Sequence, residues 1–108
     1  MAEDMLFMIY GVDGPSSKDL RTSTKAEHFA YLEEHQDVLV LGGATLGEDG
    51  ETRTGSVLII NVEDIAAANR FSRNEPFRKA GVFEQVTVTR MRHGQWNPGA
   101  APNLPEGH

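Results

Sequence analysis

One histidine, one arginine and two carboxylates are the residues of this sequence best suited to chemistry. His28 lies in a segment that we predict to be helical, and Arg21 precedes it by seven residues, so two helical turns bring both side chains to one side of the helix. A neutral imidazole transfers protons near neutral pH, particularly when a carboxylate fixes its tautomer. Asp37 and Glu75 are the candidate carboxylates. We interpret His28 as a general acid or base; the alternative is a histidine that caps the core edge with one hydrogen bond.

Arg21 and Glu75 each have two interpretations, one as a residue of a functional site and one as an ordinary surface or loop residue. A guanidinium on the His28 side of the helix would bind an anionic substrate group bidentately, but an arginine at a helix start is equally typical of a solvated surface. Glu75 precedes Pro76, which disfavours helical backbone at residue 75 and leaves the carboxylate extended, where it can point into a cleft. The alternative for this segment is a loop that ends the preceding helix.

Composition and spacing exclude several other site chemistries. The 108 residues contain no cysteine, which removes disulfides, thiolate nucleophiles and cysteine-ligated metal sites. His28 and His35 are seven residues apart, about 10.5 Å along a helix axis, which is too far to ligate one ion. The glycines form neither of the two common phosphate-binding patterns. We therefore expect no metal and no other cofactor.

The charge balance and the apolar runs limit partners and location. Ten basic residues against sixteen acidic ones leave a net charge of −6, which opposes nucleic acid and anionic membrane surfaces. The longest run of large apolar residues, 5–10, is far shorter than the roughly 20 residues of a membrane span. Residues 1–4 are acidic where a signal peptide would be basic. We expect a cytoplasmic protein that binds neither nucleic acid nor membrane.

Hydrophobic patterning predicts six elements in the order βαββαβ. Apolar runs at 5–10, 38–41 and 57–60 and an alternating pattern at 82–91 predict four strands, with the second ended by Gly42 and Gly43. One helix is expected to run from Lys18 or Thr24 to His35, because Ser16 with Asp19 and Thr24 with Glu27 both read as capping boxes, the second being the better. A second helix is expected over about 63–72, stopped by Pro76.

This order predicts an α+β fold of the ferredoxin-like type, a four-stranded antiparallel sheet with both helices on one face. The strands are nearly continuous apolar runs, so the second sheet face should also be covered, most simply by a second copy of the chain. Residues 1–93 form this single domain, and residues 94–108 form a Gly- and Pro-rich tail that we expect to be mostly mobile. Trp96 is the residue of the tail that we expect to be ordered, because its side chain can dock on an apolar surface such as a neighbouring subunit.

Five short segments of the chain form a recognisable series: LFMIYG at 6–11, Arg21 followed by His28, VLVLGG at 38–43, Thr-Gly-Ser at 54–56, and EPFRKAGVFEQVTV from Glu75. In their order and spacing, over about residues 5–92, they resemble the YCII-related family of dimeric α+β-barrel proteins.

The resemblance implies a homodimer with a cleft that contains a histidine–carboxylate pair. His28 matches the family histidine, and Arg21, Ser56 and Phe77 would contact a small-molecule substrate. The family commonly has Asp-Pro-Tyr or Asp-Pro-Phe where this chain has Glu75, Pro76 and Phe77. The acidic side chain of this protein is therefore one methylene longer than that of the family. The implied activity is cofactor-independent acid–base chemistry of a lyase, isomerase or dehydrochlorinase. The alternatives are a non-catalytic ligand-binding or accessory dimer, and a purely structural dimer.

Overall fold

The computed structural model describes residues 5–102, and the expectations for residues 1–4 and 103–108 lie outside this part of the chain. The elements are β1 (Leu6–Asp13), α1 (Ser17–Glu34), β2 (Leu39–Leu46), β3 (Arg53–Asn61), α2 (Ile65–Asn74), α3 (Pro76–Ala80), β4 (Phe83–Met91) and a 3₁₀ turn (Pro98–Ala100).

The four strands form one antiparallel sheet in the order β2-β3-β1-β4. At the centre of the sheet, Ile9 of β1 pairs with Leu58 of β3 on one side and with Val88 of β4 on the other. The predicted α+β class and the ferredoxin-like βαββαβ order are confirmed, with α3 as an additional short helix.

The core lies between the helices and one face of the sheet. Alternate residues of the two central strands are buried there and pack against α1 and α2; the cluster comprises Phe7, Ile9, Leu32, Leu58, Ile60, Ala68 and Phe71. Each large apolar side chain buried in this way stabilises the fold by roughly 1.5–3 kcal/mol. The intervening residues Met8, Tyr10, Val57 and Ile59 project to the opposite face, where they are only partly buried. The face away from the helices is therefore also apolar.

Helix α1 begins at Ser17, so the prediction of a capping box at Thr24 and Glu27 is wrong. Gly14 donates its backbone N–H to the carbonyl of Val82 at 2.9 Å, and Ser17 donates to the carbonyl of Gly14 at 3.2 Å. This turn directs the chain into a helix directly after β1. Because no glycine or proline follows until well beyond Thr24, the helix continues through that residue without interruption.

The prediction that the second strand ends at Gly42 and Gly43 is wrong, because β2 continues through both glycines to Leu46. A Cβ atom at Gly42 would lie 2.8 Å from a methyl group of Leu58, so glycine is needed here for the close approach of β2 to β3. The ladder extends to the pair of Leu46 with Arg53, which places the start of β3 at Arg53.

Helix α3 was not expected, because Pro76 was interpreted only as the stop of α2. Pro76 is instead the first residue of the new helix, a position that needs no backbone N–H. Glu75 caps it by accepting from the backbone N–H of Arg78 at 3.1 Å, and Gly81 ends it with φ of 84°. The result places Glu75 at the bend between two helices.

The described part of the tail, residues 94–102, contains only the short 3₁₀ turn. Trp96 is 65% exposed, and its ring centroid lies 6.0 Å from that of His93. Its docking and the mobility of the tail stay predictions. Within residues 5–102, no helix is both long enough and apolar enough to cross a membrane.

Candidate active site

His28 lies on the inward side of α1, where it is only 7% exposed. Leu32 follows it by four residues, and these two are the buried residues of the helix. Because side chains four residues apart share a helix face, the face that brings Leu32 into the core also brings His28 to the core edge.

Glu75 contacts His28 directly, through its Oε1 atom and the Nδ1 atom of the imidazole. Glu75 is 3% exposed, and its second oxygen, Oε2, is held by the backbone N–H of Arg78. Its extended backbone, with φ of −69° and ψ of 127°, follows from the proline after it. With the carboxylate ionised, Nδ1 carries the proton and donates it to Oε1. Nε2 then keeps the lone pair of the neutral imidazole.

Phe77 holds the imidazole from its face. The two rings are stacked, with centroids 3.8 Å apart and planes inclined by 8°. Phe77 is buried, and its carbonyl accepts the backbone N–H of Val82 at 3.0 Å, which anchors α3 against the start of β4. The imidazole is therefore fixed at one edge by Glu75 and on one face by Phe77, both supplied by the segment that follows α2.

His28 lines a cavity of about 250 Å³, which we call the inner cavity; the lining also includes Arg21, Ser56, Leu32, Leu58 and Gly42. The hydrogen bonds of the described residues engage His28 through Nδ1. Within residues 5–102, no buried side-chain nitrogen or oxygen lacks a partner, so Nε2 is not sealed inside the protein. A base held in this way can reach a small molecule in the cavity.

Arg21 lines the inner cavity, but its guanidinium is held by the protein itself. Nε and Nη2 donate to the two oxygens of Asp13 at 2.9 and 2.8 Å, and Nη2 also donates to the carbonyl of Gly55 at 3.0 Å. The guanidinium carbon lies 5.1 Å from the centroid of the Phe77 ring. Arg21 thus ties the ends of β1 and β3 to α1. Sequence reasoning missed Asp13, whose signal was a carboxylate at the end of the first buried strand.

The remaining two predicted site residues, Ser56 and Asp37, lie at the inner cavity and at the protein surface, respectively. Ser56 is buried on β3 and lines the inner cavity. Asp37 is exposed in the turn between α1 and β2, beyond the last turn of the helix. Of the two candidate carboxylates, the structure brings Glu75 to His28 and leaves Asp37 at the surface. Within residues 5–102, no three histidine or carboxylate side chains converge as they would around a metal ion.

Tyr31 is a neighbour of the site that sequence reasoning missed. Burial raises the pKa of its phenol to about 12, with further contributions from the negative charges of Glu75 and Glu34. Its hydroxyl donates to the carbonyl of Phe71 at 2.9 Å. Tyr31 therefore stays protonated at neutral pH and joins α1 to α2.

Known proteins resemble the chain in sequence and in structure. Protein YciI of Escherichia coli is 32% identical over 91 residues, covering 78% of this chain and 93% of that protein. An uncharacterized protein of Haemophilus influenzae is 29% identical with the same coverage. The solved structure of the 5-chloro-2-hydroxyhydroquinone dehydrochlorinase TftG from Burkholderia phenoliruptrix, in complex with 2,5-dihydroxybenzoquinone, has a TM-score of 0.75 and 41% identity. It covers 83% of this chain and 96% of that chain.

The family model for the YCII-related domain matches residues 5–92, which contain every element of the sheet and the contacts of His28 described above. The resemblance carried by the short sequence segments is thereby confirmed, and the chain belongs to the YCII-related family.

Proposed function

We propose that the protein is a cofactor-independent acid–base enzyme of the lyase or isomerase type, dehydrochlorination included, that acts on a small planar substrate as a homodimer. The observation that carries this proposal is the buried contact of Glu75 with Nδ1 of His28, a histidine that lines the inner cavity and whose other ring nitrogen is not engaged by that contact. A carboxylate that orients a histidine and stabilises its charged form is the usual support of a histidine general base.

In this proposal, Nε2 of His28 accepts a proton from a ring hydroxyl of the substrate, and Glu75 stabilises the imidazolium that results. The imidazolium returns the proton to a ring carbon, which completes an isomerisation. Where that carbon carries chlorine, Nε2, again unprotonated, takes the proton of a second hydroxyl. The C–Cl bond breaks and chloride leaves with the bonding electrons. The net loss is one proton and one chloride, and the hydroquinone becomes a quinone, so no external oxidant is needed.

The size of the inner cavity and the structural neighbour support this substrate class. A cavity of about 250 Å³ lies just below the usual range of ligand pockets, about 300–1,000 Å³, and suits a single substituted ring. The neighbour TftG is a dehydrochlorinase whose structure contains the planar ring of 2,5-dihydroxybenzoquinone. At 41% identity, this likeness favours an enzyme over a purely structural dimer.

The homodimer is proposed from the apolar sheet face opposite the helices. Met8, Tyr10, Val57 and Ile59 lie on this face, and Leu41 of the neighbouring strand is 65% exposed. Burial of apolar surface stabilises an interface by roughly 25 cal/mol per Å² before the costs of association are subtracted. Sedimentation equilibrium of the wild type should therefore give a dimer, and Ile59→Asp should give a monomer.

The test of the catalytic proposal is chloride release from 5-chloro-2-hydroxyhydroquinone by the wild type, His28→Gln and His93→Gln. His93 is an exposed histidine outside the inner cavity, so its variant is the matched control. Loss of the general base should lower turnover by about 10²–10⁴-fold in His28→Gln only. Circular dichroism checks that each variant is folded. Turnover that survives in folded His28→Gln would refute the acid–base role. Binding of the substrate by the wild type without turnover would identify a binding module instead.

A further inference from the structure

A second depression, which we call the outer cleft, adjoins the inner cavity and has a volume of about 500 Å³. Its walls are the N-terminal half of α1 and the segment from 51 to 53 that leads into β3. Arg21 and Phe29 line both spaces, so a ligand bound at His28 can extend from the inner cavity into the outer cleft.

The outer cleft is basic although the protein is acidic. Four basic residues line it, Lys18, Arg21, Lys25 and Arg53, against two acidic ones, Asp13 and Glu51, whereas the whole chain has a net charge of −6. Asp13 is paired with Arg21. Lys18 and Lys25 therefore carry positive charge in the cleft that Asp13 does not neutralise. A concave surface lined by one sign of charge concentrates ligands of the opposite sign.

Helical spacing places the lysines where an anionic substituent of a substrate would lie. Lys18, Arg21, Lys25 and Phe29 follow one another at intervals of three or four residues, which gives them one face of α1. Lys25 precedes His28 by three residues, about 4.5 Å along the helix axis. The two side chains therefore leave the helix less than one turn apart, Lys25 toward the outer cleft and His28 toward the inner cavity.

Aromatic side chains accompany the positive charge. Lys25 Nζ lies 5.5 Å from the centroid of the Phe29 ring, and Phe77, which stacks on His28, also lines the outer cleft. Apolar ring faces beside ammonium groups suit a ligand that is itself a ring with an anionic group attached. Arg21, in contrast, already has Asp13 as its partner, so the lysines are the better anchors for an anion.

We infer that the outer cleft binds the carboxylate of a hydroxylated aromatic acid, with Lys25 as its anchor and Lys18 adding positive charge further along the cleft, while the ring occupies the inner cavity at His28. This inference rests on the proposed function, because it places the reacting ring at the imidazole. It narrows the substrate class from planar hydroxylated rings to those that also carry a carboxylate.

The experiment compares the binding of 2,5-dihydroxybenzoate with that of hydroquinone, which has the same ring and hydroxyl groups but no carboxylate. Isothermal titration calorimetry is carried out on the wild type, the double variant Lys18→Gln with Lys25→Gln, and the control Lys79→Gln. Lys79 is an exposed lysine on α3 that lines neither space. Glutamine keeps most of the length of the lysine side chain and removes its charge.

The wild type and Lys79→Gln should bind the carboxylate at least about tenfold more tightly than hydroquinone, and the double variant should lose this preference. Raising NaCl from about 50 to about 300 mM should also reduce the preference, because added salt screens exposed charges. Equal binding of the two probes by the wild type, no detectable binding of either probe, or a preference that persists in the double variant would overturn the inference.

His28→Gln separates this inference from the proposed function. Because binding is measured without turnover, His28→Gln should retain the carboxylate preference. A retained preference together with turnover that does not depend on His28 would overturn the acid–base role and support the outer cleft as an anion site. Turnover of uncharged rings that depends on His28, without any carboxylate preference, would overturn only the inference about the outer cleft.

Discussion

Replacement of Glu75 by glutamine changes the partner of His28 with little change in volume. In the wild type, one carboxylate oxygen accepts from Nδ1 of His28, and the other accepts from the backbone N–H of Arg78. A glutamine side chain has only one acceptor oxygen, so as long as Nδ1 keeps its proton, one of these donors loses its partner at a position that is 3% exposed. A buried donor without a partner costs about 1–3 kcal/mol.

The melting temperature of Glu75→Gln should therefore fall on the order of 5–20 °C, as expected for a domain of this size. Turnover should fall by at least about 10²-fold, because the neutral amide neither holds the Nδ1 tautomer nor stabilises the imidazolium. The assays are differential scanning calorimetry and chloride release from the chlorinated hydroquinone.

Glu63→Gln is the matched control, since it removes the same charge from an exposed residue that lines neither the inner cavity nor the outer cleft. It should melt within about 2 °C of the wild type. Wild-type stability and wild-type turnover in Glu75→Gln would refute the reasoning, because both effects follow from the same contact.

Three further predictions concern the surroundings of the site. The pKa of Tyr31 is raised from 10.0 to about 12 in the folded protein. The stabilisation given by its protonated phenol is therefore complete below pH 10 and lost between pH 10 and 12. In urea denaturation, Tyr31→Phe should be about 1 kcal/mol less stable than the wild type at pH 7, and the difference should shrink across that range. Hydrogen bonds from Thr52 and Glu51 lower the pKa of Asp49 to about 2, so its stabilisation of the loop is present above pH 3.8 and lost as pH falls toward 2. The Thr52 amide resonance should move over that range in the wild type and not in Asp49→Asn. Gly81→Ala should destabilise the protein by about 1–2 kcal/mol in thermal melts, since φ is 84° and a Cβ atom would meet no neighbour there; an unchanged melting temperature would contradict this.

The topology of the fold was predictable because its determinants are local and repeated. Each core strand contains a run of apolar residues, and the helix that carries His28 lies between two such runs. Single glycine and proline residues predicted the ends of elements wrongly where packing between distant parts of the chain determines those ends. Gly42 ends no strand, because its missing side chain makes room for Leu58 of the neighbouring strand. Pro76 begins a helix, because the side chain of Glu75 supplies the cap.

The candidate site was predictable in its residue types and less so in its pairings. Asp37 is near His28 in the sequence, whereas Glu75 is 47 residues away and reaches it only when the bend after α2 packs against α1. For the same reason, the partner of Arg21 could not be read from its own helix, since Asp13 comes from the end of a strand. Spacing along one helix identifies side chains that share a face. It does not identify what the rest of the chain places against them.

The measurement that tests the central claim most directly is the tautomer of His28, read from the ¹⁵N chemical shifts of its two ring nitrogens at a pH where the imidazole is neutral. The account predicts a protonated Nδ1 and an unprotonated Nε2 in the wild type, because Glu75 accepts the Nδ1 proton. Glu75→Gln should redistribute the proton between the two nitrogens. A proton on Nε2 in the wild type would contradict the account, since the atom that faces the inner cavity would then be unable to act as a base.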